Sequence, residues 1–151
     1  MLSTSDNQLL TQISPATPMG NAMRRYWIPA LLSSELPLPK APPLEIHLLG
    51  EDLTAFRTGD GTVGLVQTHC PHRGAQLYYG RPESDGIRCA YHGWMFDISG
   101  RCIEMPNEPE ESNFKDKVSI LAYPCIERNG VVWAYMGPDS APPPLPDLEW
   151  N

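Results

Sequence analysis

Two short segments of the sequence each combine a cysteine with a histidine. In "THCPHRGAQ" one residue separates Cys70 from His72, and in "IRCAYHGW" two residues separate Cys89 from His92. Sixteen residues lie between His72 and Cys89, which gives the pattern C-x-H-x16-C-x2-H. Either segment alone is a weak sign, but thiolate and imidazole are both good ligands for iron and zinc. Together the segments predict one centre with four protein ligands.

Two cysteines and two histidines can hold either a zinc ion or a two-iron cluster. Zinc would take all four ligands tetrahedrally, and zinc sites tend to pair like ligands, as C-x2-C followed by H-x3–5-H. A [2Fe–2S] cluster with mixed ligands takes both thiolates on one iron and both imidazoles on the other. Because each segment supplies one residue of each kind, the pattern favours the cluster, with zinc as the alternative. A nucleophilic Cys70–His72 pair would leave the second segment unexplained.

The segments around the two loops have the pattern of short antiparallel strands. Apolar and polar residues alternate in "LEIHLLG" and "DLTAFRT", and a turn at residues 58–61 leads into "VGLVQT". Ser99–Gly100 and Asn129–Gly130 predict the turns of two further hairpins. We therefore predict an all-β fold, an antiparallel sandwich or barrel with two metal-binding loops.

The two ends of the chain have a different character. Ser5 and Gln8 match a capping box that would open a short helix, and "MGNAMRRYWIP" predicts a second short helical turn. Prolines crowd residues 36–43 and the segment after residue 137. The predicted division is an N-terminal helical or extended segment (1–43), the metal-binding domain (44–137) and a proline-rich arm (138–151).

Composition narrows the class of protein. A net charge of −7 over 151 residues argues against nucleic acid or an anionic membrane as the partner. We find no signal peptide and no apolar run long enough to span a bilayer, so we expect a cytoplasmic protein with reduced thiols. Cys102 and Cys125 are then predicted to be hydrophobic strand residues. His47 and His69 are expected to lie outside the metal site.

The segments "CPHRGA" and "CAYHGW" resemble the cluster loops of Rieske proteins, in the branch found in aromatic-ring-hydroxylating oxygenases. The resemblance implies that Cys70 and Cys89 ligate one iron of a [2Fe–2S] cluster, and that His72 and His92 ligate the other. The residues expected around the cluster are Arg73, Gly74, Tyr91, Gly93 and Trp94.

The resemblance also implies a low reduction potential. The cytochrome-complex branch has an extra cysteine in each loop, and the two form a disulfide; here those positions are Ala75 and Tyr91. That branch also has a serine that donates to a cluster sulfide, where this sequence has Trp94. Fewer hydrogen bonds to the sulfurs stabilise the reduced cluster less, so we expect a potential toward the bottom of the Rieske range.

A wider resemblance covers essentially the whole chain. "TPMGNAMRRYWIPALLSSELP" and "LLGEDLTAFR" are similar to the N-terminal part of phthalate-dioxygenase-type oxygenase components. In that family a catalytic domain follows, with a mononuclear iron on two histidines and a carboxylate. The arm at 138–151 would lead to that domain, which these residues do not include, so the 151-residue chain alone is predicted to carry an electron without activating oxygen.

The same resemblance implies the partners. The electron would come from a reductase with flavin and a ferredoxin-type centre. It would leave for the catalytic iron of the same chain or of a neighbouring subunit, in a homotrimer or hexamer. The alternatives are a stand-alone Rieske ferredoxin and, less favoured, a zinc-binding interaction module. The aromatic substrate is chosen by a pocket outside these residues.

Overall fold

The computed structural model describes residues 1–109, 111–139, 141–147 and 149. Within them the chain forms short strands, two short α-helices and three 3₁₀ turns. The helices are α1 (Thr4–Thr11) and α2 (Pro18–Met23), and the 3₁₀ turns are Ser33–Glu35, Leu77–Tyr79 and Phe114–Lys117. The strands are β1 (Trp27–Leu32), β2 (Leu44–Leu48), β3 (Glu51–Arg57), β4 (Val63–Gln67), β5 (Arg81–Pro82), β6 (Ile87–Arg88), β7 (Met95–Phe96), β8 (Cys102–Glu104), β9 (Ala122–Tyr123), β10 (Cys125–Arg128) and β11 (Val131–Tyr135).

The strands form three antiparallel sheets, in the orders β1-β11-β10, β2-β3-β4-β9 and β5-β6-β7-β8. The first metal-binding loop follows β4, and the second connects β6 to β7. The predicted all-β antiparallel class is confirmed. Over the ranges that the structure describes, the sheets do not close into a barrel.

Two hydrophobic cores lie on either side of β3. Phe56 packs into a core that contains Cys70, Cys89 and Trp94, while Leu53 packs into a second core between the sheet that contains β3 and the sheet formed by β1, β11 and β10. Burying each large apolar side chain contributes about 1.5–3 kcal/mol. Because Cys70 and Cys89 belong to the first core, the two candidate cysteines are part of the packed interior of the domain.

Both predicted hairpin turns are present. Asn129 and Gly130 have φ values of 55° and 77°, as a two-residue type I′ turn requires. At the other turn the Asp97 carboxylate accepts hydrogen bonds from the backbone N–H groups of Ser99 (2.9 Å) and Arg101 (3.0 Å). Burial opposes ionisation of Asp97, but hydrogen bonds from the side chains of Ser99 and Arg101, together with these backbone bonds, outweigh it and hold the pKa of its carboxyl below the usual value.

The helix cap is not where the sequence pattern placed it. Helix α1 begins at Thr4, and the capping box joins Ser3 to Asp6: the Ser3 hydroxyl accepts from the Asp6 N–H at 3.1 Å. The Ser5–Gln8 assignment was wrong because Ser5 already lies inside the first turn. The predicted second helical turn is present as α2.

A strand that the sequence pattern did not predict lies in the N-terminal segment. Strand β1 pairs with β11, and its register shifts between Pro29 and Leu31. Proline is tolerated there because β1 is an edge strand with an irregular register. Just before it, the buried Arg24 donates to the carbonyl of Leu49 (2.7 Å) and the carboxylate of Glu51 (2.8 Å), which joins the N-terminal segment to β3.

The proline-rich arm packs against this same sheet. The Trp27 indole N–H donates to the carbonyl of Pro143 at 2.7 Å, and Leu145 is buried against Trp27 and Tyr135. The Tyr135 hydroxyl donates to Asp139 at 2.7 Å.

No helix in the described ranges combines the length and apolarity needed to cross a membrane.

Candidate metal centre

The two loops close with the same backbone hydrogen bonds. In the first cluster loop (residues 70–75), Gly74 N–H donates to the Cys70 carbonyl (2.9 Å) and Cys70 N–H to the Ala75 carbonyl (2.8 Å). In the second cluster loop (residues 89–94), Gly93 N–H donates to the Cys89 carbonyl (3.1 Å) and Cys89 N–H to the Trp94 carbonyl (2.8 Å).

One glycine makes each closure possible. Gly74 and Gly93 have φ values of 71° and 76°, in the left-handed region that other residues occupy only at a cost. The two loops follow different strands but share these closing hydrogen bonds and the left-handed glycine.

This arrangement brings like side chains together. Cys70 and Cys89 are 2% and 3% exposed, and the ring centroids of His72 and His92 are 4.5 Å apart. Burial raises the pKa of the Cys70 thiol to about 11; a backbone N–H of His72 opposes the rise, and the adjacent Cys89 thiol adds to it. A pair of buried thiols and a pair of imidazoles, each drawn from both loops, is the ligand set of a cluster with sulfur ligands on one iron and nitrogen ligands on the other.

Two buried polar atoms test whether the site fits such a group. Nδ1 of His72 and Nε1 of Trp94 are buried, and neither has a hydrogen-bond partner within the described part of the chain. An unpaired buried polar atom is costly, and metal coordination would satisfy Nδ1 of His72. A two-iron cluster asks for two protein ligands on each iron, and the two adjacent thiols and the two neighbouring imidazoles can supply them. The residues fit a two-iron cluster.

A lowered pKa favours the neutral form of His92. Burial lowers the pKa of His92, and the nearby charges of His72 and Arg73 lower it further. A neutral imidazole is the form that binds a metal.

An aromatic ring contacts each histidine. The Trp94 ring stacks on His72 with centroids 4.4 Å apart and planes 4° apart. Tyr91 is exposed, and its ring centroid lies 3.9 Å from that of His92. The ring of Phe114 lies edge-on to that of Trp94, with centroids 6.4 Å apart. Sequence reasoning missed Phe114, because its contact is made by a 3₁₀ turn distant in sequence and no spacing indicates it.

A charged residue next to the second loop was also missed. Arg88 immediately precedes Cys89, and its guanidinium donates to the carbonyl of Gly93 at 2.8 Å. An arginine at this position is an ordinary strand residue by pattern, so only the tertiary structure indicates the contact.

As predicted, the remaining two cysteines lie in strands and the side chains of the remaining two histidines are exposed. His47 is exposed and bonds to Asp52 at 2.6 Å, and the side chain of His69 is also exposed. Cys102 is buried in β8, and burial raises the pKa of the Cys125 thiol in β10 to about 12.

Oxygenase subunits are among the known proteins that this chain is similar to. The chain is 48% identical over 149 residues to the 3-chlorobenzoate-3,4-dioxygenase oxygenase subunit of Comamonas testosteroni, covering 99% of this chain and 34% of that protein. It is 45% identical over 150 residues to the phthalate 4,5-dioxygenase oxygenase subunit of Pseudomonas putida, again covering 99% and 34%. The chain thus spans about a third of the length of these relatives.

Solved structures of similar fold include two oxygenases. Dicamba monooxygenase bound to dicamba matches with a TM-score of 0.65 and 31% identity, over 76% of this chain and 35% of that chain. An oxygenase in complex with ferredoxin, from carbazole 1,9a-dioxygenase, matches with a TM-score of 0.66 and 31% identity, over 81% and 31%.

A family description covers both loops. The model of the Rieske [2Fe-2S] domain matches residues 26–124, which include β1 and all four candidate ligands. This range agrees with the two matching loops and with the antiparallel sheets that carry them. The chain belongs to the Rieske [2Fe-2S] domain family.

Proposed function

We propose that this chain is the Rieske electron-transfer part of an aromatic-ring-hydroxylating oxygenase. In this proposal Cys70 and Cys89 hold one iron, and His72 and His92 hold the other. The observation that carries it is the pairing of like side chains: two buried thiols are adjacent, and two imidazole rings lie 4.5 Å apart.

When bound, the cluster would supply a centre that accepts and releases one electron. The protein residues hold it between the core and the surface. The thiols lie in the apolar core, which excludes water, while both histidines are only partly buried and Tyr91 beside His92 is 62% exposed. The histidine side of the site is therefore the side that a redox partner can approach.

The low potential expected from the sequence remains part of the proposal. Ala75 and Tyr91 occupy the positions of the disulfide cysteines, and Trp94 occupies that of the serine. Fewer hydrogen bonds to the sulfurs disfavour the more negative reduced state.

The relatives suggest where the electron comes from and where it goes. Solved structures of similar fold include an oxygenase in complex with ferredoxin, which supports a ferredoxin or a ferredoxin-type reductase as the donor. The relatives are about three times as long as this chain. We propose that residues 138–151 lead toward a catalytic domain with mononuclear iron, and that the electron passes to this iron in the same or a neighbouring subunit of a trimer or hexamer.

This chain alone would then transfer electrons without oxidising an aromatic substrate. The four cysteines are all unpaired, which is compatible with a cytoplasmic location.

Anaerobic reconstitution with iron and sulfide tests the ligand set. The chain should acquire a visible spectrum and, once reduced, the EPR signal of a Rieske cluster. Cys70→Ser and His92→Asn should abolish that signal, while Cys102→Ser and His69→Asn, changes of the same kind outside the set, should retain it. The midpoint should lie toward the negative end of the Rieske range of about −150 to +300 mV.

Other results would contradict the proposal. A colourless, EPR-silent protein with one bound zinc would favour the interaction module. A strongly positive midpoint would contradict the low-potential centre. Loss of the signal in Cys102→Ser with its retention in Cys70→Ser would overturn the ligand set.

A further inference from the structure

The side chain of Arg88 spans the base of the second cluster loop. Arg88 and Met95 are partners in the β6–β7 pairing, so they face each other where the loop begins and ends. The Arg88 guanidinium donates from Nη1 to the Gly93 carbonyl at 2.8 Å, and its Nη2 lies 3.3 Å from the Met95 sulfur.

Two carboxylates hold the guanidinium in place. Glu83, in the β5–β6 turn, accepts from Nε at 2.7 Å and from Nη2 at 3.0 Å. Glu104, at the end of β8, lies 2.6 Å from Nη2. The Arg88 side chain is 18% exposed, so it is partly screened from water, and carboxylates of the β5–β6 turn and of β8 hold it. Such bidentate arginine–carboxylate pairs fix geometry as well as charge.

This contact fixes a peptide unit that glycine would otherwise leave free. Gly93 has a φ of 76°, and a glycine peptide can rotate at little cost. With the Gly93 carbonyl bound to Arg88, the N–H of Trp94 in the same planar trans peptide points away from Arg88. The residues on either side are His92, a proposed ligand, and Trp94, whose ring stacks on His72.

The first cluster loop is held differently. The residue before Cys70 is His69, whose side chain is exposed and whose carbonyl accepts from the Gln67 amide at 2.6 Å. The two loops share their backbone closure, but the arginine contact belongs to the second loop.

We propose that Arg88 is a positioning residue for the metal centre: through the Gly93 carbonyl it holds His92, Gly93 and Trp94 in the orientation that receives the cluster. This inference rests on the ligand set of the proposed function. It assigns Arg88 no contact with the cluster, and it predicts that the geometry of its guanidinium matters beyond its charge.

A pair of charge-conserving variants separates geometry from charge. Arg88→Lys keeps the positive charge but loses the forked contacts with Glu83 and Gly93. Arg81→Lys is the matched control, because Arg81 bonds to the same Glu83 carboxylate at 2.7 Å from a side chain that is 75% exposed. In the reconstituted chain, Arg88→Lys should change the anisotropy of the reduced EPR signal and speed iron loss to a chelator by about tenfold. Arg81→Lys should change neither.

The outcomes distinguish this inference from the proposed function. A wild-type chain without a Rieske signal overturns the ligand set, and the inference with it. A normal wild-type signal with identical behaviour of Arg88→Lys and Arg81→Lys overturns the inference alone. If circular dichroism shows Arg88→Lys to be unfolded, Glu83→Gln replaces it and should speed iron loss more than Arg81→Lys does; equal rates would overturn the inference.

Discussion

The glycines of the two cluster loops share a backbone conformation but differ in their surroundings. Both have positive φ, yet a Cβ at Gly74 would meet nothing within 4 Å, while one at Gly93 would lie 3.2 Å from Cγ of Pro106. The left-handed backbone costs a residue with a side chain about 1–2 kcal/mol. Gly93→Ala adds the displacement of Pro106 to that cost.

We therefore expect Gly74→Ala to lower the free energy of unfolding of the cluster-loaded chain by about 1–2 kcal/mol, and Gly93→Ala to lower it by more. Denaturant titration measures both. Gly130→Ala is the control, since Gly130 has a φ of 77° and the same open surroundings in a turn away from the site. Equal losses at Gly74 and Gly93 would contradict a role for Pro106.

Candidate ligands that follow a fixed spacing along the chain could be predicted from the sequence. Side-chain contacts between different structural elements could not. The spacing of Cys70, His72, Cys89 and His92 predicted two matching loops, and the positive φ of Gly74 and Gly93 agrees with that prediction. The contacts of Arg88 depend on Glu83, in the β5–β6 turn, and on Glu104, at the end of β8. Such contacts leave no periodic pattern in the sequence.

The β5–β6 turn contains Glu83, whose carboxylate pairs with Arg88 at the base of the second cluster loop. Hydrogen bonds from Arg88 and then Arg81 lower the pKa of Glu83 from 4.5 to about 2. The folded state thus favours the ionised carboxylate. Its stabilising contribution is complete above the unfolded value of 4.5 and is lost as the pH falls from there toward about 2.

Glu83→Gln should therefore destabilise the chain at neutral pH, and the difference from wild type should shrink below a pH of about 4.5. Denaturant unfolding of both proteins over this pH range measures it. Asp85→Asn removes another, exposed carboxylate from the same turn and controls for the change in net charge. A difference that stayed constant into acid would show that the Glu83–arginine pairs do not supply the stability.

Elements with strong local signals could be predicted from the sequence. An element that depends on pairing between distant segments could not. Asn129–Gly130 specifies its own hairpin, because few residues adopt two successive positive φ values. Strand β1 contains Pro29, which argues against a strand unless the strand lies at an edge. Only its pairing with β11, about a hundred residues away, makes it part of a sheet.

The N-terminal and C-terminal segments of the domain contact each other. Strand β1 pairs with β11, and the arm that follows β11 returns over both through Trp27, Tyr135 and Leu145. The sequence predicted an extended arm from its prolines, but it gave no sign that the arm would pack. In the proposed oxygenase this contact would fix the direction in which the chain leaves the Rieske domain.

Leu145→Ala tests whether the arm is bound to the domain. Leu145 is 7% exposed and packs with Trp27 and Tyr135, so truncating it should cost about 2–5 kcal/mol of unfolding free energy. Pro146→Ala alters the adjacent, exposed residue and should cost much less. Denaturant unfolding followed by circular dichroism compares the two. Similar small losses would mean that the arm lies free in solution, and its contact with β1 could not then orient a following domain.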